Sequence, residues 1–285
     1  MVTVKQVPDT SGKVAVNPDG TLDRASMQTI INPDDLNAVE AALALKDELG
    51  CKVVAFTMGP PPAEGMLREL MAMGVDEGVL ITAREFGGSD TYATSQIIAA
   101  AIDTYGVESE DIILAGRQAI DGDTAQVGPQ VAEKLGLPQV TYAEEITEIK
   151  ADSLVIKRRL NCGMETVETP VPVVVTVNAS APECRPRNAK RVMTCKFALA
   201  KSEIAAAPDS PAAKRAAAKE YLQIVEWAAA DVNPDPQQLG LAGSPTKVKK
   251  IENVVFQAKE AKKLTSSDED INSLMVELIA SHTLG

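Results

Sequence analysis

Apolar positions along this chain alternate between two rhythms. Short apolar runs bounded by Gly, Pro, Asn or Asp read as buried strands, and stretches with an apolar residue every three to four positions read as helices packed on them. Residues 2–7 alternate and stop at Pro8-Asp9, which predicts a first strand. Asn17-Pro18-Asp19-Gly20 reads as a turn between short extended pieces, 14–16 and 21–22. Asn32 before Pro33 suits a helix N-cap with proline at the first helical position, and Asp34 and Asp35 suit the positive end of the helix dipole. That helix continues through Leu36, Val39, Leu43 and Leu45 to Gly50. A strand over 52–58, a turn at Gly59-Pro60-Pro61-Pro62, a helix over about 63–73 and a strand over 78–82 follow. The methionines of that helix read as core filling.

Gly87-Gly88-Ser89-Asp90-Thr91 precedes a helix carrying Ile97, Ile98, Ala101, Ile102 and Tyr105. Ser89 or Asp90 can cap it, and the glycines leave room for a ligand to approach the backbone. Next come an apolar strand at 112–115, a polar glycine-bearing stretch, and a helix with Val127, Val131 and Leu135 on one face. Pro129 is tolerated only in a first turn, so this helix begins no earlier than Gln126. Repeated strand–helix alternation predicts a largely parallel α/β sheet flanked by helices, with ligands beyond the carboxyl ends of its strands.

After Gly136-Leu137-Pro138 the rhythm changes. Residues 145–150 and 153–160 read as an antiparallel hairpin, and 170–177 as a last buried strand. Beyond 178 prolines interrupt the chain repeatedly. Residues 212–230 read as a helix carrying Tyr221, Ile224 and Trp227, 240–246 as a loop, and 269–279 as a short amphipathic helix. The expected division is an α/β domain over 1–180 and an extended arm over 181–285 that wraps another subunit.

Composition narrows the chemistry. A formal charge of −12 argues against nucleic acid and anionic membrane as main partners. No apolar run is long enough to cross a membrane and no signal-peptide pattern is present, so no membrane insertion and a cytoplasmic location are expected. Cys51, Cys162, Cys184 and Cys195 are scattered, which fits reduced thiols and no metal site. The single histidine, His282, removes a His-centred triad within the chain.

The most informative stretch is Gly116-Arg117-Gln118-Ala119-Ile120-Asp121-Gly122-Asp123-Thr124-Ala125-Gln126-Val127-Gly128-Pro129-Gln130. A strand, a polar turn and a helix start expose backbone N–H groups and a positive dipole end to an anion. The stretch lacks the lysine of G-x-x-x-x-G-K-[ST], and its glycines are too far apart for G-x-G-x-x-G. Spacing alone leaves a nucleotide loop and an ordinary surface turn open.

Its wording resembles the flavin- or AMP-binding signature of electron-transfer flavoprotein beta subunits. VKQVPDT at the start, INPDDLNAVEAAL, VVAFTMGP, LMAMGVDEGVL and DPQQLGLAGSPTKV extend that resemblance over most of the chain in matching order. The resemblance implies a Rossmann-like domain binding an adenine nucleotide, with a C-terminal arm embracing an alpha subunit. It assigns cofactor contacts to Thr3, Asn32, Met58, Gly116, Gln118, Asp121, Asp123, Thr124, Ala125, Gln126, Val127, Gly128 and Gln130. Some family members hold AMP there and shuttle electrons. Others hold a second FAD that takes hydride from NADH and bifurcates its electrons, one going to ferredoxin and one to the alpha-subunit flavin. Gly87–Thr94 resembles the bifurcating group, with Gly88, Ser89, Asp90, Thr91 and Thr94 seating NADH, and NPDD at 32–35 points the same way. FAD is therefore the expected cofactor, AMP the alternative, and a nucleotide-binding regulatory module without redox chemistry a further one. A recognition loop over 183–193 carries Ala189 where relatives that serve acyl-CoA dehydrogenases carry a leucine anchor, so of the two expected flavin dehydrogenase partners, acyl-CoA and hydroxy-acid, this departure points toward the hydroxy-acid type.

Overall fold

The computed structural model describes residues 1–9, 28–247 and 261–284. The extended pieces expected at 14–16 and 21–22, with their turn, lie outside the described residues. The chain opens with β1 (Val2–Thr3) and β2 (Gln6–Pro8), then β3 (Thr29–Ile31), α1 (Pro33–Leu49) and β4 (Val54–Met58). It continues through α2 (Glu64–Met73), β5 (Glu77–Ile81), α3 (Thr91–Tyr105), β6 (Ile112–Gly116) and α4 (Val127–Leu135). Next are β7 (Gln139–Ile149), β8 (Ser153–Leu160), β9 (Gly163–Pro170), β10 (Val173–Val177), α5 (Ala189–Cys195) and β11 (Leu199–Ala200). Last come α6 (Lys201–Ala206), α7 (Pro211–Ala217), β12 (Gln223–Trp227), α8 (Ala229–Val232), α9 (Gly240–Gly243) and α10 (Asp268–Ala280).

Ten strands form one sheet in the order β11-β12-β5-β4-β1-β6-β10-β7-β8-β9. Every pairing from β11 to β7 is parallel, and β7-β8-β9 is an antiparallel meander. Successive strand residues serve opposite faces. Ala55, Leu80, Leu114 and Val175 pack with Val39 and Leu43 of α1 and Leu67 and Leu70 of α2. Val54, Phe56, Val79 and Ile81 meet Ile97 of α3, while Ile113 and Val174 meet Ile102 of α3 and Val131 of α4. A sheet covered on both faces explains why its central strands read as unbroken apolar runs.

Three sequence expectations need correction. The first strand is interrupted: after β1 the chain turns aside, and β2 pairs antiparallel with β3 in a small separate ribbon. The hairpin is a three-stranded meander, because β7 starts at Gln139 and β9 adds an edge strand. The start of β7 runs parallel to β10 before the strand swings out to meet β8.

The helix expected over 212–230 stops at Ala217, and residues 223–227 form β12, with Val225 opposite Val79 and Trp227 opposite Ile81. The spacing of Tyr221, Ile224 and Trp227 fits a helix face equally well; the open edge of β5 decides the outcome. Trp227 completes a cluster in which its ring lies 6.5 Å from Phe56 and 6.3 Å from Tyr105.

Residues up to Lys249 form one compact unit, so the stretch after 180 supplies two strands of the main sheet. Residues 250–285 form a second unit, in which α10 starts at Ser267, whose hydroxyl accepts the Asp270 N–H. Among the described residues no helix is long and apolar enough to cross a membrane.

Candidate nucleotide site at the sheet's carboxyl edge

β4, β1 and β6 lie side by side and end at Met58, Thr3 and Gly116. The chain leaves β1 toward β4 and β5, and returns through α3 to β6 on the other side of β1. That reversal makes the β1/β6 boundary the topological switch point, where a sheet of this kind opens a crevice. Thr3 pairs with Phe56 and Ala115 on its two neighbours.

The first turn of α1 builds the floor of the loop that follows β6. Asn32 is fully buried, and its side chain makes no cap hydrogen bond. Its Nδ2 instead donates to the Gln118 carbonyl at 2.8 Å, and its Oδ1 accepts the Ile120 N–H at 3.1 Å. An amide side chain offers a donor and an acceptor on separate atoms to such a pair of backbone groups. The cap reading of this side chain is thereby replaced by a bridge to the loop.

Asp35, also buried, accepts the Lys5 N–H at 2.8 Å and the Gly116 N–H at 3.1 Å. Gly116 is required at this spot, since a Cβ there would stand 2.2 Å from the Asp35 carboxylate. Burial pushes the Asp35 carboxyl up to about 7, against the opposing pull of its hydrogen bonds. Asp34 reaches Arg117 Nε at 3.1 Å. Sequence patterning gave both aspartates to the helix dipole; in the fold they tether the loop.

The loop is tied within itself. Asp121 meets Lys5 Nζ at 2.8 Å, Gln118 Nε2 donates to Asp123 Oδ1 at 2.8 Å, and the Asp123 N–H donates to the Ala119 carbonyl at 2.9 Å. Asp123 and Ala125 both take left-handed backbone angles, with φ of 50° and 52°. Such alternation turns successive N–H groups toward one side and forms an anion-binding nest. Among the described residues, the backbone N–H groups of Thr124, Ala125, Gln126, Val127 and Gly128 donate to no protein acceptor. Five free donors at the start of α4, with the nearby carboxylates already engaged, suit a phosphate or pyrophosphate.

Gly128 faces the sheet, and a Cβ there would stand 2.6 Å from Thr176 Cγ2. Gln130, two residues on, has a buried Oε1 without a partner. Among the described residues no group of His, Cys, Asp and Glu could hold a metal.

At the start of α3, Asp90 is the cap and accepts the Ala93 N–H at 3.0 Å. Burial favours the neutral Asp90, but hydrogen bonds from Thr246 and Ala93 outweigh it and hold this carboxyl below the usual range. Ser89 Oγ donates to the Phe86 carbonyl, the Asp90 N–H donates to Ser244 Oγ, and the Thr94 N–H donates to the Asp90 carbonyl. Leu241 Cβ lies 3.2 Å from where a Gly88 Cβ would be. The space beside Gly88 is thus filled by Leu241. Thr91 alone reaches toward the nucleotide loop, its Oγ1 donating to Gln126 Oε1 at 2.9 Å.

Residues 19–202, well over half the chain, match the family model of the electron transfer flavoprotein domain. This chain belongs to the electron transfer flavoprotein family. An electron transfer flavoprotein subunit beta of Clostridium acetobutylicum is 46% identical over 88% of this chain and 86% of its own length. The caffeyl-CoA reductase-Etf complex subunit CarD of Acetobacterium woodii is 42% identical over 87% of this chain and 85% of its own length. The acryloyl-CoA reductase electron transfer subunit gamma of Anaerotignum propionicum is 67% identical over 61% of this chain. That match spans 65% of the relative, just under two thirds of its length.

Within this electron transfer flavoprotein, sequence reasoning missed the part that Lys5, Asp34 and Asp35 play in shaping the loop. Their signal was the presence of charged residues in otherwise apolar stretches next to Asn32 and the end of β1.

Proposed function

We propose that this electron transfer flavoprotein subunit is a beta subunit holding FAD on the amides of residues 124–128 and acting in a complex with an alpha subunit. The five unpartnered donors of the Asp123–Gly128 nest carry this reading. They supply a preorganised seat for a dinucleotide pyrophosphate. Lys5 neutralises Asp121 beside the seat, Asn32 and Asp35 fix the loop from below, and Thr91 ties the start of α3 to Gln126.

When bound, FAD supplies the chemistry of taking hydride from NADH and parting its two electrons between a low-potential acceptor such as ferredoxin and the alpha-subunit flavin. The chain contributes binding and orientation, and no acid–base residue is required of it. Residues 250–285 serve as the arm that embraces the alpha subunit. Relatives named as subunits of acryloyl-CoA and caffeyl-CoA reductase complexes favour an acyl-CoA type of flavin dehydrogenase as partner over a hydroxy-acid type.

A second reading, AMP at the same seat and no bifurcation, draws on one observation. The N–H and carboxylate of Asp90 are engaged by Ser244 and Thr246, and the Ser89 hydroxyl by the Phe86 carbonyl, rather than left free for a second dinucleotide. Purification with the alpha subunit and extraction of bound nucleotides decides between the two. Two FAD per heterodimer, with flavin bleaching on NADH addition, supports the first reading. One FAD with one AMP sinks it.

A further inference from the structure

The carboxylate of Asp35 touches no part of the nucleotide seat, yet everything that sets the seat's position passes beside it. It accepts the N–H of Lys5, just past β1, with one oxygen and the N–H of Gly116, at the end of β6, with the other. These two strands bound the switch point, and the loop bearing the free amides begins at the second. The fit is close: the Gly116 Cα has no side chain, and any Cβ would overlap the Asp35 carboxylate and the Asp34 backbone. We propose that Asp35 is a positioning residue whose ionised carboxylate sets where the nucleotide loop leaves the sheet, and that proton uptake by it loosens that loop. The inference rests on the nucleotide reading above for its functional consequence, though not for its structural one.

A carboxylate accepts two N–H bonds through two unprotonated oxygens; once one oxygen carries a proton, it becomes a donor facing a donor. One of the two strand ends then loses its anchor. The charged groups around Asp35 are already committed among the described residues. Asp34 of the same helix pairs with Arg117 from the end of β6, and Lys5 sends its ammonium to Asp121 of the loop. Among the described residues no cation pairs with the Asp35 oxygens, so the group is held by the Lys5 and Gly116 N–H groups and the Asn32 side chain, against the neighbouring charge of Asp34. Its carboxyl, raised to about 7 by burial, changes charge within the physiological range.

The test uses the full chain and has two arms. In the nucleotide-free chain, hydrogen exchange of peptides spanning 112–126, corrected for the intrinsic pH dependence of exchange, reads the anchor itself. Protection there should fall by about tenfold from pH 8 to pH 6, while the core of α2 stays unchanged. The Asp35→Asn chain should be equally weakly protected at both pH values. In the second arm, equilibrium dialysis with FAD and with AMP should show retention falling across the same interval in the wild-type chain and flat in the variant. Unchanged protection of 112–126 between pH 8 and pH 6 in the wild-type chain overturns the inference, and needs no variant to fold. Protection that changes as expected while neither nucleotide binds at any pH leaves the anchor standing and overturns the nucleotide reading.

Discussion

Asp90 receives two hydrogen bonds from Thr246, one from its N–H at 2.9 Å and one from its hydroxyl at 2.7 Å. The same carboxylate caps α3, so one side chain both begins a helix and holds Thr246 against it. Asp90→Ala should cost about 1–2 kcal/mol from loss of the cap alone. Thr246→Val removes only the hydroxyl bond and should cost about 0.5–1.5 kcal/mol. Urea unfolding measures both, and proteolysis near 235–247 should accelerate in each. Equal losses in the two variants would show that the cap contributes nothing of its own.

The Asn32 bridge gives a second prediction. Asn32→Ala leaves the Gln118 carbonyl and the Ile120 N–H without their buried partner, for a loss of about 1–3 kcal/mol. Asn32→Asp keeps an acceptor for Ile120 but sets a carboxylate against the Gln118 carbonyl, so it should be no better tolerated than alanine. Were Asn32 an ordinary helix cap, aspartate would instead be the benign replacement. Thermal unfolding of the two variants separates these outcomes.

Asp35 sets the sign of a pH effect on stability. Its carboxyl sits near 7 in the fold against an ordinary value of 3.8, so between these values the folded chain holds a proton that the unfolded chain has released. Stability therefore declines as pH rises through this window, by up to about 1.4 kcal/mol per pH unit from this group, and levels off above 7. Melting temperatures at pH 5.5, 6.5 and 7.5, each compared with Asp35→Asn, isolate the contribution. A wild-type slope identical to that of the variant would remove it. From this group alone, the fold gains stability as pH falls from 7, although the same proton is proposed to loosen the loop anchor locally.

Gly128 offers a packing test. Gly128→Ala drives a methyl into Thr176 Cγ2 and should cost about 1–3 kcal/mol by overpacking α4 on β10. Thr176→Ser removes that methyl while keeping the hydroxyl that accepts the Tyr142 N–H. The double variant should recover at least half of the loss in a double-mutant cycle measured by urea unfolding. Additive losses would mean that the two residues do not compete for the same space.

The parts of the fold legible in sequence are those in which local pattern and tertiary demand agree. The strands at Val54–Met58 and Ile112–Gly116 are apolar because both sheet faces are covered, and the helix at Val127–Leu135 follows from Pro129 and its apolar face. The edge strand Gly163–Pro170 was not legible: its residues are mostly exposed and polar, so no buried face imprints a period on them. Residues 223–227 were misread because an alanine-rich helix runs into them and their apolar spacing fits either element. At the site, the wording of 116–130 marked the loop as the candidate. The roles of Asn32 and Asp35 could not be read, since partners more than eighty residues away leave no mark on local spacing.

The seat of β12 has a consequence for how the chain comes to be folded. Strand β5 is complete once Ile81 has been made, yet its outer edge has no mate until Val225 is available. At translation rates of roughly 5–20 residues per second, that edge stands bare on the order of ten seconds behind the ribosome. A parallel edge left open is a template for the wrong neighbour, including the same strand of another nascent chain. Residues 199–227 thus act as the closing hem of the sheet. Cutting the chain before them would leave the newly made protein with a raw seam rather than a shorter tail.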